Sequence, residues 1–222
     1  MVKKRTYSDA CGVARALDRV GERWALMIVR ELLLGPKRFT DVRTGLPSLS
    51  ADVLAQRLRE LEEIGVVRRR RLPPPAAAQV YELTEWGLEL EPVLVALGRW
   101  GARAAPPPEG VGMSLDSHVV SLRTLFDPER AHGFAARIAL NLGEDRFRVE
   151  VADGRVEACR GELAEPDATI DTDPATLIAL LHGRRTLPEA QSAGDATIIG
   201  DQPVVARFLG LFPLPEPADA GA

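Results

Sequence analysis

Residues 102–114 read ARAAPPPEGVGMS, and this stretch decides how many bodies the chain can build. Its run of prolines removes backbone donors and fixes φ, and the glycines that follow weaken any helix or strand. A segment of that kind is a linker. Cut there, a chain of 222 residues leaves two pieces of ordinary domain size. The pieces also differ in charge. Residues 1–103 hold 18 Lys+Arg against 13 Asp+Glu, a net of +5, whereas residues 104–222 hold 10 against 19, a net of −9. The first suits a polyanionic partner and the second does not. The expected organisation is a domain over 1–103, a linker over 104–114, a second domain over 115–215 and a tail over 216–222.

Within the first piece, apolar residues recur at helical spacing from Gly12 to Leu34. Val13, Ala16, Leu17 and Val20 form one set; Trp24, Met27, Ile28 and Leu32 form another. Gly21 marks a break between two helices, and Gly35-Pro36 stops the second. RFTDVRTGLP then predicts a short helix with Phe39, Val42 and Leu46 on one side, closed at Gly45 and Pro47. Ser50 is an N-cap for SADVLAQRLRELEEIG, because its hydroxyl can accept from first-turn amides. Val53, Leu54, Leu58, Leu61 and Ile64 build the buried stripe of that helix. Asp52, Gln56, Arg59 and Glu63 fall opposite, with Arg57 on the flank, and Gly65 ends it. The period then switches. VVRRRRL and QVYELT are β-rich segments on either side of PPPAAA, a hairpin pattern with a proline-rich tip. Thr84 caps a further helix, EWGLELEPVLVALGRWGARA, with a stripe of Leu90, Val93, Leu94, Leu97 and Trp100 and an expected kink at Pro92.

Short helix, turn, polar-faced helix, hairpin: this order is that of a winged helix-turn-helix, which can set the second helix in the DNA major groove. Alone, four consecutive arginines read as a solvated loop. Placed as Arg68, Arg69, Arg70 and Arg71 on a strand directly after the polar-faced helix, they read as phosphate ligands. Alternate side chains of a strand point opposite ways, so two would reach phosphate and two would lie along the protein. Lys37, Arg38, Arg43 and Arg57 complete the expected phosphate set. Gln56 and Arg59 are the main base-reading candidates, since amide and guanidinium groups make bidentate contacts to adenine and guanine. Ser50 and Asp52 join them, although Asp52 also suits the helix N-terminus, which favours a carboxylate.

The stretch CGVARALDRVGERWALMIVRELLLGPKRFTDVRTGLPSLSADVLAQRLRELEEIGVVRRRR, followed by YELTEWG, resembles the HxlR-type branch of MarR-like bacterial transcription regulators over about residues 7–103. Asp52 departs from the Asn or Lys common there. The resemblance implies a dimeric winged-helix DNA binder whose N-terminal segment and last helix make the dimer contact. Leu90, Leu94, Leu97 and Trp100 would then be interface; packing within one subunit is the alternative. Several members of that family are thiol sensors. Cys11 precedes a helix, which favours thiolate chemistry, but Asp9 beside it works the other way, and a structural Cys11 stays open.

The second piece mixes both periods. HVVSLRTLF reads as a helix or a buried strand, the helix being favoured; FAARIALNLG, RFRVEVAD and RVEACRGE alternate around GED and DG as an antiparallel meander. DATIDTD adds a strand, PATLIALLHG and LPEAQSAG are helices, ATIIGD is a strand and QPVVARFLGLF a final helix. The segment from DATIDTD through GRRTLPEAQSAGDATIIGDQPVVARFLGLFPLP resembles the tail of the sterol-carrier-protein fold, over about residues 115–215. That resemblance implies a cavity for an apolar, lipid-like molecule, lined by Leu177, Leu180, Leu181, Val204, Val205, Phe208, Leu209 and Phe212, which could equally be plain core.

The whole is expected to be α+β. His118, His132 and His182 lack metal-ligand spacing, no nucleophile-elbow or phosphate-loop motif occurs, and Glu162, Glu165 and Asp167 read as solvated loop acids. No enzyme activity, cofactor or metal is expected. Nothing approaches an apolar run of ~18 residues, so no membrane span is expected. The basic N-terminus lacks a signal core, and Cys11 and Cys159 form no disulfide framework, so the expected location is the cytoplasm. The expected role is a homodimeric, sequence-specific regulator, foremost a repressor, on a pseudo-palindromic operator, with an apolar small molecule as candidate effector. The alternatives are a lipid-binding protein whose winged helix mediates protein association, and a regulator switched by oxidation of Cys11.

Overall fold

A computed structural model describes residues 6–105, 107–108 and 111–218; linker positions 106, 109 and 110, residues 1–5 and tail residues 219–222 lie outside that description. The chain divides after Leu94 into two compact units.

The first unit runs α1 (Gly12–Val20), α2 (Ala25–Leu32), α3 (Phe39–Gly45), α4 (Ala51–Glu63), β1 (Val67–Arg71), β2 (Gln79–Leu83) and α5 (Glu85–Leu88). Cys11 caps α1, its sulfur accepting from the Ala14 amide at 3.3 Å. Ile28, Val29 and Leu32 of α2, Val42 of α3 and Leu54, Leu58 and Leu61 of α4 are fully buried. Each such side chain contributes about 1.5–3 kcal/mol of burial. Ser50 caps α4, its hydroxyl accepting from the Val53 amide. Gly65, at φ +76°, turns the chain out of α4 where a β-carbon would be strained.

β1 and β2 form an antiparallel wing in the register Val67↔Leu83 through Arg71↔Gln79. The backbone of Lys37 bonds to Tyr81 from the other side of β2, at 2.9 and 2.8 Å, so β2 is flanked on both edges. The tip, Pro73 to Ala77, is exposed throughout and carries no charge. Thr84 then locks the wing to α5: its hydroxyl donates to the Gly65 carbonyl at 2.7 Å and accepts from the Gly87 amide at 3.0 Å.

Where one kinked helix was expected after Thr84, there are two. α5 stops at Leu88, and α6 (Glu91–Gly101) starts afresh with Pro92 as its second residue. A proline has no N–H to give, and the first turn of a helix needs none from it, so the chain breaks ahead of Pro92 instead of bending around it. The division between units falls within α6.

The second unit continues with α7 (Leu115–Leu125), β3 (Ala136–Leu142), β4 (Asp145–Ala152), β5 (Arg155–Arg160), β6 (Ala168–Thr172), α8 (Pro174–Leu181), α9 (Leu187–Ser192), β7 (Ala196–Gly200) and α10 (Gln202–Leu209). The sheet order is β5-β4-β3-β6-β7. The meander β3 to β5 is antiparallel, β6 lies parallel to β3, and β7 returns antiparallel to β6. Ile138, Leu140, Phe147, Val149 and Ile170 of the sheet, Leu122, Leu177 and Phe208 of the helices, and Phe212 are completely or almost completely buried. Phe208 and Phe212 meet edge to face at 5.1 Å. Arg160 on β5 binds the buried Asp116 of α7, fixing that helix to the sheet. Two sheets with helices in separate segments make the fold α+β.

Candidate nucleic-acid interface

α4 is divided lengthwise. Leu54, Leu58 and Leu61 are buried, while Asp52, Gln56, Arg59 and Glu63 stand exposed on the opposite side. Ser50, at the helix start, is exposed too. Gln56 donates to Glu60 at 3.0 Å, one turn on, a weak surface contact that a better partner displaces. Arg59 and Asp52 have no side-chain partner among the described residues. Arg57, on the flank, is half-buried and held by Glu60 and, at 3.2 Å, by Glu22.

α3 presents Arg38 at its start and Arg43 in its last turn, both exposed and both without side-chain partners among the described residues. Lys37 is placed differently. Its ammonium lies 2.6 Å from Glu31, a fully buried carboxylate that Arg30 also reaches at 2.7 Å. An unpaired carboxylate in that position would cost several kcal/mol. Lys37 therefore neutralises the interior first.

The wing arginines alternate as the strand requires. Arg68 and Arg70 share one face and one carboxylate, that of Glu82 on β2. The Arg68 Nε donates to Glu82 Oε1 at 2.7 Å, and the Arg70 Nε donates to Oε2 at 2.9 Å. Burial of Glu82 works to raise its pKa, but the hydrogen bonds and charges of Arg68 and Arg70 outweigh it and hold the carboxyl below its ordinary value. On the other face, Arg69 lies over the Tyr81 ring, 5.2 Å from its centroid, and 3.4 Å from Glu62. Arg71 is exposed and has no side-chain partner among the described residues. Sequence reasoning missed Glu82. Its signal was available: in the pairing of two alternating strands, the acid of YELT falls opposite the first arginine of the run.

The interface thus offers an exposed amide and guanidinium on a helix face, suited to base edges, beside a strand and a short helix carrying cations. Other predicted positions lie elsewhere. No residue of α6 is buried: Leu94 is half-exposed, Leu97 is 46% exposed and Trp100 74%, and Leu90, just ahead of the helix, is half-exposed. On α1, Val13 is 71% exposed. Cys11 is exposed, and its backbone N–H donates to Asp9 at 2.8 Å. In the second unit, Leu177, Val205, Phe208 and Phe212 are interior packing, and Val204 is half-exposed. Leu180, Leu181 and Leu209 alone of the expected set line a cavity of about 590 Å³, together with Arg130, His182 and Arg185. No helix among the described residues is long and apolar enough to cross a membrane.

Comparison with known proteins also divides the chain in two. Residues 19–109 match the family described as HxlR-like helix-turn-helix, and residues 111–218 match one described as alkyl sulfatase C-terminal. An uncharacterised HTH-type transcriptional regulator of Bacillus subtilis, YvaP, is 39% identical over 93 residues, which is 42% of this chain and 86% of the relative. The HTH-type transcriptional regulator YodB of the same organism is 35% identical over 96 residues, 43% of this chain and 86% of YodB. An uncharacterised HTH-type regulator of Mycobacterium tuberculosis is 39% identical over 106 residues, 48% of this chain and 66% of that protein.

Proposed function

This chain belongs, through residues 19–109, to the HxlR-like helix-turn-helix family of DNA-binding transcriptional regulators, and from that premise we propose how it acts. Two copies bind a pseudo-palindromic operator, each setting α4 into a major groove, the two grooves about 34 Å apart. The observation that carries this reading is the split of α4: one side supplies core leucines while Asp52, Gln56 and Arg59 keep a complete polar side in solvent. Gln56 and Arg59 read base edges, with Ser50 and Asp52 at the groove entrance. Arg38, Arg43 and Arg71 have no competing carboxylate among the described residues and take phosphates first. Arg68, Arg69 and Arg70 share their charge with acids and add to that grip, and Lys37 and Arg57 contribute background charge.

Leu90, just ahead of α6, and Leu94, Leu97 and Trp100 within it form the contact between copies, with α1 beside them in the partnership. The protein acts in the cytoplasm as a repressor, by occupying its operator, and carries out no catalysis. Residues 115–215 form a sterol-carrier-like module, and an apolar small molecule in its cavity of about 590 Å³ shifts the dimer between binding and non-binding forms. A variant of this reading makes Cys11 a redox switch, supported by its exposed sulfur at the start of α1.

The test is a division of labour. Gln56→Ala or Arg59→Ala should relax base preference at one operator position, at a cost of about 1–3 kcal/mol. Arg69→Ala with Arg70→Ala should instead weaken binding to every sequence and flatten its salt dependence. Equal losses on operator and random DNA from both sets would contradict the assignment.

A further inference from the structure

A carboxylate is out of place on a strand meant for phosphate. Glu82 lies beside Arg68 and Arg70, and simple electrostatics says that it repels DNA and should be absent. Its geometry says otherwise. It is buried, and its two oxygens are divided between the two guanidiniums, at 2.7 Å from the Arg68 Nε and 2.8 Å from the Arg70 Nη2. The contact to Arg68 uses the inner nitrogen of the fork. The arginine side chains meanwhile remain 64% and 46% exposed, so their ends are presented to solvent.

We propose that Glu82 is a positioning residue for DNA binding, holding Arg68 and Arg70 side by side as a preset clamp on the phosphates of one strand. The proposal rests on the winged-helix reading above. Two arginines two residues apart on one strand face are anchored about 6.6 Å apart along it, and their like charges repel each other. Left alone, each would sample many rotamers, and ordering them on DNA would cost affinity. A single shared carboxylate removes the repulsion and fixes both stems before DNA arrives. The cost is one unit of charge, screened by the pair that surrounds it. Arg's planar fork makes this possible, because one edge can hold the acid while the other faces outward.

The experiment measures fluorescence anisotropy of a labelled, random-sequence duplex with the full chain across a salt series, since phosphate contacts do not need an operator. Glu82→Gln makes the protein more positive by one, yet the proposal expects binding weaker by about tenfold and a salt slope reduced by about one contact. Glu82→Asp keeps the charge but is a methylene short, and it should weaken binding in the same direction. In a chain already carrying Arg68→Ala and Arg70→Ala, Glu82→Gln should have no weakening effect, which separates positioning from a general loss of structure. Binding as tight as wild type, or tighter, with Glu82→Gln overturns the proposal, as does an equal loss in the chain lacking both arginines. If Glu82→Gln does not fold, Glu82→Asp decides, and wild-type affinity there overturns it. A wild-type chain without salt-dependent binding sinks the winged-helix reading itself, a result distinct from any of these.

Discussion

Glycine 87 shows how little room the wing leaves at its base. A β-carbon there would overlap the backbone carbonyl oxygen of Val66 and press on the Leu83 side chain. Backbone cannot swing aside as a flexible side chain can. Gly87→Ala should therefore lower stability by roughly 3 kcal/mol, read as a fall in the urea midpoint at unchanged slope. A midpoint shift within the range of ordinary surface substitutions would show that β1 and α5 are not held this tightly. Single residues also mark where sequence reading reaches its limit. Lys37 looks like a free cation in the string GPKRF, because the acid it meets lies six positions earlier in an apolar run. Only the packing of α2 puts Glu31 inside, and only then does Lys37 acquire a task there.

Elements repeat the pattern with larger units. The period of apolar residues located α1 to α4, both wing strands and the Ser50 cap, since all depend on spacing within a few residues. Ser50→Ala should cost about 1 kcal/mol of stability through the lost cap. On the proposed reading it should also weaken operator binding more than random binding, because fraying of the first turn of α4 disturbs the end proposed to read bases; thermal melting and gel shift check the two parts. Unchanged melting would remove the cap from the account. The position of β6 was not legible in this way. Hairpin signals pair neighbours in sequence, whereas β6 joins β3 in parallel after the intervening strands, a placement set by the whole sheet. The expected pocket shows the same limit. Leu177, Phe208 and Phe212 have the apolar pattern of a cavity wall, and the pattern of a filled interior is no different; contact between rings decides it.

At the scale of the molecule, α6 leaves Val93, Leu97 and Trp100 exposed in the single chain, the kind of apolar surface that a partner covers. Trp100 and Leu97 are the test positions. On the proposed dimer, Trp100→Glu should convert the sedimenting species to monomer at micromolar concentration, and operator affinity should drop because two half-sites would no longer be linked. A wild-type chain that sediments as a monomer would refute the dimer outright. The division into two units falls within α6, ahead of the proline run that the sequence reading takes as the linker. Repeated apolar spacing runs through α6 without interruption, so nothing in the string marks where one unit's contacts give way to the other's. The uncharged tip of the wing has a practical sequel. Every cation of β1 precedes it, so lengthening or trimming Pro73–Ala77 should change how far the hairpin extends without removing a charge from β1. That loop is the natural place to attach a probe, being exposed throughout.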